Sequence, residues 1–294
     1  MPVFPNTTYM ESRRCSERRF FLRPSKRSNQ IYLYCLALAA QKYQVELHSF
    51  CAESNHEHSL STDTLGNHPE FRQFKNSFIA RAMNVELHRR EAFWGPTDRE
   101  VVVLVDEGAQ REALVYALAN PVKDGLVHHG YQWPGPRSKP SDIEKEFIIN
   151  RPKGGFFKNS SLPATVVMKL TMPPALRHLP LEEAVATLEK EERAAEVGYR
   201  EARRNSSKPF LGRRAVRKQS PFDCPKGRPP FRRLNPRIKC KDAGLRQRLL
   251  QKLKAFQAAY ASARLAWKNP TEQVSFPYGT YQLRVLYGVP IASG

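Results

Sequence analysis

Two histidines, His56 and His58, flank Glu57. Side chains alternate along a β-strand, so on a strand both imidazoles fall on one face, where two nitrogen ligands on a rigid element suit a divalent metal. An ordinary polar sheet face carries the same pattern. Tyr116 and Asn120 stand four residues apart, and on a helix that spacing turns a hydroxyl and an amide oxygen to the same side. With that helix laid over the histidine face, a metal held by His56, His58 and Asn120 polarises a phosphate oxygen while Tyr116 attacks phosphorus, which is Lewis-acid plus nucleophilic catalysis. The alternative is a tyrosine packed on a helix whose end is capped by Asn120 before Pro121.

The elements that must position these groups follow from periodicity. Residues 18–25 read as a strand bounded by Pro24, and residues 28–43 as a helix with Ile31, Tyr32, Cys35, Leu38 and Ala39 on one side. Residues 45–52 alternate and, after Ser54-Asn55, residues 56–62 return as their antiparallel partner. Phe71, Phe74, Phe78, Ala82 and Val85 recur at spacings of three and four, predicting an amphipathic helix over 68–88 with its aromatic stripe packed inward. Residues 100–105 form a β-branched run suited to a buried strand, and residues 107–120 a helix stopped by Pro121. The order is βαββαβ followed by a helix. A ferredoxin-like α+β sheet with helices on one face buries those surfaces economically.

Charge divides the chain. Residues 1–136 hold 16 Lys and Arg against 15 Asp and Glu (+1), and residues 137–294 hold 32 against 13 (+19). The break falls at Trp133-Pro134-Gly135-Pro136, which predicts a first domain over 1–136 and a basic, mostly helical second domain over 137–294. In the latter, 165–170 reads as a strand and 181–204 as a helix that starts acidic and ends basic. Residues 203–241 carry 14 Lys and Arg, one acid (Asp223) and six prolines, too charged and broken to fold alone and so a basic Pro-rich arm. A helix over 242–268 aligns Leu245, Leu249, Leu253, Phe256, Tyr260, Ala263 and Trp267 against a partner surface, and 276–286 reads as an alternating strand. A net charge of +20 points toward polyanions. Arg213, Arg214, Arg217, Lys218, Arg232, Arg233, Arg237, Lys239 and Lys241 are the candidate phosphate contacts, with Phe210, Phe222 and Phe231 interleaved for stacking or for local packing.

Five cysteines (Cys15, Cys35, Cys51, Cys224, Cys240) are odd in number and scattered, without a Cys-x-x-Cys pair, so reduced thiols are expected. The longest mostly apolar stretch, residues 31–40, falls short of the ~20 residues a membrane span needs. Residues 1–10 lack the apolar core of a signal peptide. The expected location is the cytoplasm, at the nucleoid.

The order of segments resembles the REP-associated kind of HUH single-tyrosine transposase: strand and helix, a strand beginning Asn55-His56-Glu57-His58, a helix, an aromatic turn at Phe93-Trp94-Gly95, and a β run. Most specific is Tyr116-Ala-Leu-Ala-Asn120-Pro121-Val122-Lys123-Asp124-Gly125-Leu126-Val127, similar to that family's Tyr-x-x-x-Asn-Pro-Val-x-x-Gly-Leu-Val signature. The resemblance spans roughly residues 13–134. It implies that His56 and His58 hold Mg²⁺ or Mn²⁺, that Asn120 completes the site, and that Tyr116 is the nucleophile of a metal-dependent single-stranded DNA endonuclease and strand transferase. The intermediate would be a 5′-phosphotyrosine, and the DNA partner single-stranded or hairpin. Relatives act as shared-site dimers or as monomers, which leaves a homodimer open.

Glu57 departs from the family, whose residue between the histidines is bulky and apolar. Its carboxylate faces the helix-covered side of the sheet, where a lone charge is costly. It must pair with a base such as Arg81 or reach the metal by a local twist; otherwise catalysis has been lost. That last case gives a second function class, a non-enzymatic DNA- or RNA-binding protein. A third is a ribosome-associated RNA-binding protein defined by charge alone.

Overall fold

The computed structural model of the chain describes residues 2–159, 161–227, 237–269 and 273–293. Its first half runs β1 (Thr7–Cys15), α1 (Lys26–Tyr43), β2 (Val45–Ala52), β3 (His56–Asp63), α2 (His68–Glu86), β4 (Trp94–Leu104) and α3 (Glu107–Lys123). The strands form an antiparallel sheet in the order β2-β3-β1-β4. This is the order a βαββαβ chain adopts when both helical crossovers return to one side, and it agrees with the mixed α+β class expected.

The first strand lies upstream of its expected place. Residues 18–25 are turns, beginning with a short 3-10 turn at Ser16–Arg18. Arg19 and Arg23 donate there to the carbonyls of Phe222, Arg217 and Gln219, and Pro24 has no N–H to give a ladder. Thr7–Cys15 pairs on both edges instead, with β3 and with β4.

Helices cover both faces, not one. α1 and α2 bury Phe21, Ile31, Leu36, Phe50, Phe71 and Ile79 against one side. α3 lies on the other, backed by α4 (Leu181–Asn205), where Ala113, Leu114 and Ala117 meet Ala184 and Leu188. The i,i+3/i+4 stripe of small residues on α3 lets the two helices approach closely. Nor does α3 stop at Pro121. The proline removes one N–H a single turn before the end, and Asp124 N–H still reaches Asn120 O at 2.8 Å. Lys123 is therefore helical and shares a face with Tyr116.

The remaining elements are β5 (Glu146–Asn150) paired with β6 (Thr165–Lys169), α5 (Arg213–Lys218), β7 (Ile238–Lys239), α6 (Ala243–Ala266) and α7 (Gln282–Tyr287). Phe157, Val166, Met168 and Leu170 join the α1–α2 core. The basic arm is structured at both ends: α5 buries Val216 beside Cys51, Val127 and Trp133, and β7 extends the sheet in parallel along β4. The stripe on α6 packs less than its periodicity predicts, with Ala263 its buried residue and Tyr260 against Phe276. The expected strand over 276–286 is overturned. Gly279 turns the chain at φ +93° with Phe4 2.6 Å from where a Cβ would sit, and Gln282–Tyr287 then coils as α7. All five cysteines are free thiols, and no described helix is long and apolar enough to cross a membrane.

Candidate nucleophile and metal-ligand cluster

Register fixes the histidine face. β3 pairs with β1 so that Ser12 stands opposite His58 and Arg14 opposite His56, while Glu57 and Ser59 turn to the α1–α2 side. Ser12 Oγ lies 2.6 Å from His58 Nδ1, and Asn55 Oδ1 lies 2.7 Å from His56 Nδ1. Each hydrogen bond orients its ring. The rings meet edge to face with centroids 4.9 Å apart.

α3 crosses this face. Tyr116 sets its ring 5.2 Å from that of His58, edge to face. One turn on, Asn120 is fully buried, with Nδ2 3.1 Å from His56 Nε2 and donating to Glu53 Oε1 at 3.1 Å. Its Oδ1 is buried with no hydrogen-bond partner among the described residues, a costly state for an amide oxygen unless something binds it. His56 Nε2 is also 3.6 Å from Glu53 Oε2 and 4.0 Å from Asp124 Oδ2. Ligand atoms of Glu53, His56 and Asp124 lie within 4.8 Å of one another.

The sequence-derived set of His56, His58, Tyr116 and Asn120 is thus brought together, and two carboxylates are added. Glu53 opens the β2–β3 connection three residues before His56, and Asp124 follows Asn120 by four, one further turn of the same face. That second spacing was available in the sequence. Two carboxylates, an imidazole nitrogen and, with the Asn120 amide turned over, its oxygen are a hard, oxygen-rich donor set suited to Mg²⁺ or Mn²⁺. Burial pushes the Glu53 carboxyl well above the usual carboxylate range, and nearby Asp124 adds to this. A cation at this position reverses both effects, so the residues present fit one.

Lys123 was not foreseen either. Its Nζ donates to Tyr116 OH at 3.1 Å, lies 4.4 Å from the centre of that ring, and stands 3.8 Å from Asp124 Oδ1. Desolvation works against its charge, yet Tyr116 and Asp124 outweigh it and raise the ammonium pKa. A cation is held on the nucleophile candidate.

On the far side of β3, Glu57 pairs with Lys75 rather than Arg81, at 2.6 Å, and accepts from Tyr32 OH at 2.7 Å. Lys75 also reaches Glu11 at 3.0 Å, which Arg72 touches at 3.2 Å. Arg81 instead covers the Phe78 ring. Glu57 is therefore a paired core carboxylate on the face away from the metal-ligand candidates.

The candidate phosphate contacts divide. Arg213, Arg214, Arg217, Lys218 and Arg237 are exposed. Lys239 donates to Glu112 at 2.8 Å and Lys241 also pairs with it, beside β7, so these two are partly neutralised. Arg232 and Arg233, like Phe231, lie outside the described residues. Phe210 packs on His128 at 4.2 Å and Phe222 edges onto Phe21.

No known family profile and no curated protein matches the chain. Among solved structures, one of a REP-associated tyrosine transposase bound to a REP hairpin is similar at 15% identity and a TM-score of 0.42, covering 48% of this chain and 82% of that one. A similarity of this size leaves function to the geometry of the site.

Proposed function

We propose that the chain is a transposase-like enzyme that cuts and rejoins single-stranded DNA through Tyr116. The observation that carries this is the convergence of a phenol, a helix-borne ammonium and a hard metal-ligand set on one face of the sheet. His56, His58, Asn120, Glu53 and Asp124 are the residues that would hold Mg²⁺ or Mn²⁺. Bound there, the ion supplies Lewis-acid charge to a phosphate oxygen.

The protein's own groups account for the rest. Tyr116 Oη forms a bond to phosphorus as the P–O3′ bond breaks, leaving a 5′-phosphotyrosine and a free 3′-OH. The phenolic proton passes to solvent, and a proton from solvent completes the 3′ hydroxyl. Lys123 stabilises the phenolate oxygen as it forms, through a preorganised charge-assisted hydrogen bond. His58 fixes the angle of the ring from the side, and Ser12 fixes His58. The phosphotyrosine conserves the phosphodiester energy, so a second 3′-OH reverses the step and joins strands without ATP. In this reading residues 1–136 carry the chemistry and residues 137–294 grip the DNA.

A non-catalytic nucleic-acid-binding protein is the rival, supported by the +19 charge of residues 137–294. Titration with Mn²⁺, followed calorimetrically, separates the two. The enzyme reading expects one site whose affinity falls about tenfold to a hundredfold in His56→Ala and Asn120→Ala. The rival expects no Mn²⁺ site that depends on them.

A further inference from the structure

The chain that leaves α3 carries rings and arginines that the strand-transfer site does not use. Gly125 follows Asp124 directly, has φ +72°, and has Arg203 Cζ 1.9 Å from where a Cβ would stand, so glycine alone leaves room for that guanidinium. Leu211 N–H and Gly212 N–H donate to Gly125 O and Leu126 O, both at 2.9 Å, and stitch the start of the basic arm to the loop after α3. The arm is therefore tied down next to Asp124, a candidate metal ligand.

Along this loop two ring pairs follow in sequence. Phe210 lies 4.2 Å from His128, with Arg203 5.1 Å from the Phe210 centre. Next, Tyr131 stacks on His129 at 5.3 Å with the planes 18° apart, and Tyr131 is 75% exposed. Arg200 braces the loop, donating to His128 O at 3.1 Å and reaching Glu196 at 3.2 Å. Gly130 N–H also donates to Glu196, at 2.7 Å. Arg204, Lys208, Arg213 and Arg214 are exposed on the arm and on α4.

We infer that this surface is a stacking track for an unpaired nucleic-acid strand leaving Tyr116. Base faces seat on Tyr131 and on the exposed His128 of the Phe210–His128 pair, and phosphates face the flanking cations. A ring braced from behind and open to solvent, as Tyr131 is, offers a base a flat contact at little entropic cost, and stacking of this type tolerates any sequence. A duplex keeps its base faces covered and gains nothing from the rings. The inference rests on the strand-transfer reading for where the strand begins, and its ligand chemistry is that of any single strand, DNA or RNA.

Fluorescence anisotropy on the full chain tests it, with labelled oligo-dT, oligo-rU and a blunt duplex of equal length. Tyr131→Ala is expected to weaken oligo-dT binding about fivefold to a hundredfold, leaving duplex affinity and the salt dependence unchanged, with Tyr131→Phe restoring wild-type affinity. Arg213→Gln, by contrast, should lower the slope of log K against log salt by about 0.7 for the single strand. Equal losses for oligo-dT and oligo-rU assign the track to single strands in general, and a loss for oligo-dT alone ties it to DNA. Wild-type oligo-dT affinity in a folded Tyr131→Ala, or a loss confined to oligo-rU, overturns it. Covalent adduct formation at Tyr116 is scored separately, so the track can fail while strand transfer stands, and strand transfer can fail while the track stands.

Discussion

Lys75 shows most directly what a single residue holds in place. Its ammonium is fully buried between Glu11 and Glu57, and removing it strands two carboxylates in the core beneath the histidine strand. Lys75→Met should cost on the order of 3–5 kcal/mol in urea unfolding, and adding Glu11→Leu and Glu57→Leu should recover much of it, because no buried carboxylate is then left without its ammonium, and Arg72, which loses Glu11, is partly exposed. Unchanged stability in the single variant would show that the network is hydrated and unimportant. At the site itself, Lys123→Gln should slow adduct formation about tenfold to a thousandfold, with Lys123→Arg restoring part of the rate. If Lys123→Gln reacts at the wild-type rate, the ammonium on Tyr116 has no part in the chemistry.

The helix that carries Tyr116, Asn120 and Lys123 is anchored at its start by Asp106, whose carboxylate accepts from Ala109 N–H at 2.7 Å and also from Cys240 Sγ and the backbone of Lys241 and Asp242. Desolvation opposes the charge, but these donors win and hold the carboxyl at about 2. Asp106→Ala should lower stability by about 1–2 kcal/mol, the loss of a cap. Because the same oxygens tie β7 to α3, proteolysis near residue 240 should also speed up in that variant, and an unchanged cleavage rate would refute the tie. Elements with a strict period were legible in the sequence: α1, the β2–β3 hairpin, α2 and the frame of α3. What local pattern could not supply was competition. Residues 18–25 carry a short apolar run, Phe20-Phe21-Leu22, before Pro24 that reads as a strand, but their arginines bond the distant 217–222 segment. Residues 276–286 alternate, yet Gly279 bends the chain around Phe4. The His56–His58–Tyr116–Asn120 geometry was readable because each pair sits on one regular element, whereas Glu53 and Lys75 depend on contacts between elements.

Across the whole molecule, burial of neutral histidines sets the acid limit. Desolvation brings His48 down to about 4 and His68 to about 3. The unfolded chain binds protons at these positions near pH 6.5, and the folded chain refuses them until much lower pH. The unfolded state therefore holds more protons at these two positions throughout that window, and their contribution to stability rises with pH from about 3 to about 6.5 and is level above it, whereas the raised Glu53 carboxyl contributes in the opposite sense above the normal carboxylate pKa of about 4.3. Glu11, held below the usual carboxylate range because Lys75 and Arg72 outweigh its desolvation, adds a further loss below the normal carboxylate pKa of about 4.3. Lowering the pH from 6.5 to 4.5 should therefore cost wild type more of its urea midpoint than it costs His68→Gln; an equal change in the two would contradict the buried neutral state. On the proposed function, the electrostatic division at residue 136 also predicts salt-sensitive DNA binding through the arm and α5, which hydrogen bonds at Gly125 and Leu126 tie to the loop after α3.

The central claim is that Tyr116 becomes covalently joined to DNA. Wild type and Tyr116→Phe are incubated with end-labelled hairpin DNA bearing a single-stranded flank and Mn²⁺, then run on denaturing gels. A protein–DNA adduct is expected in wild type and not in Tyr116→Phe, although both proteins bind the DNA. A wild type that binds the DNA without forming an adduct, or an adduct that persists in Tyr116→Phe, would contradict it.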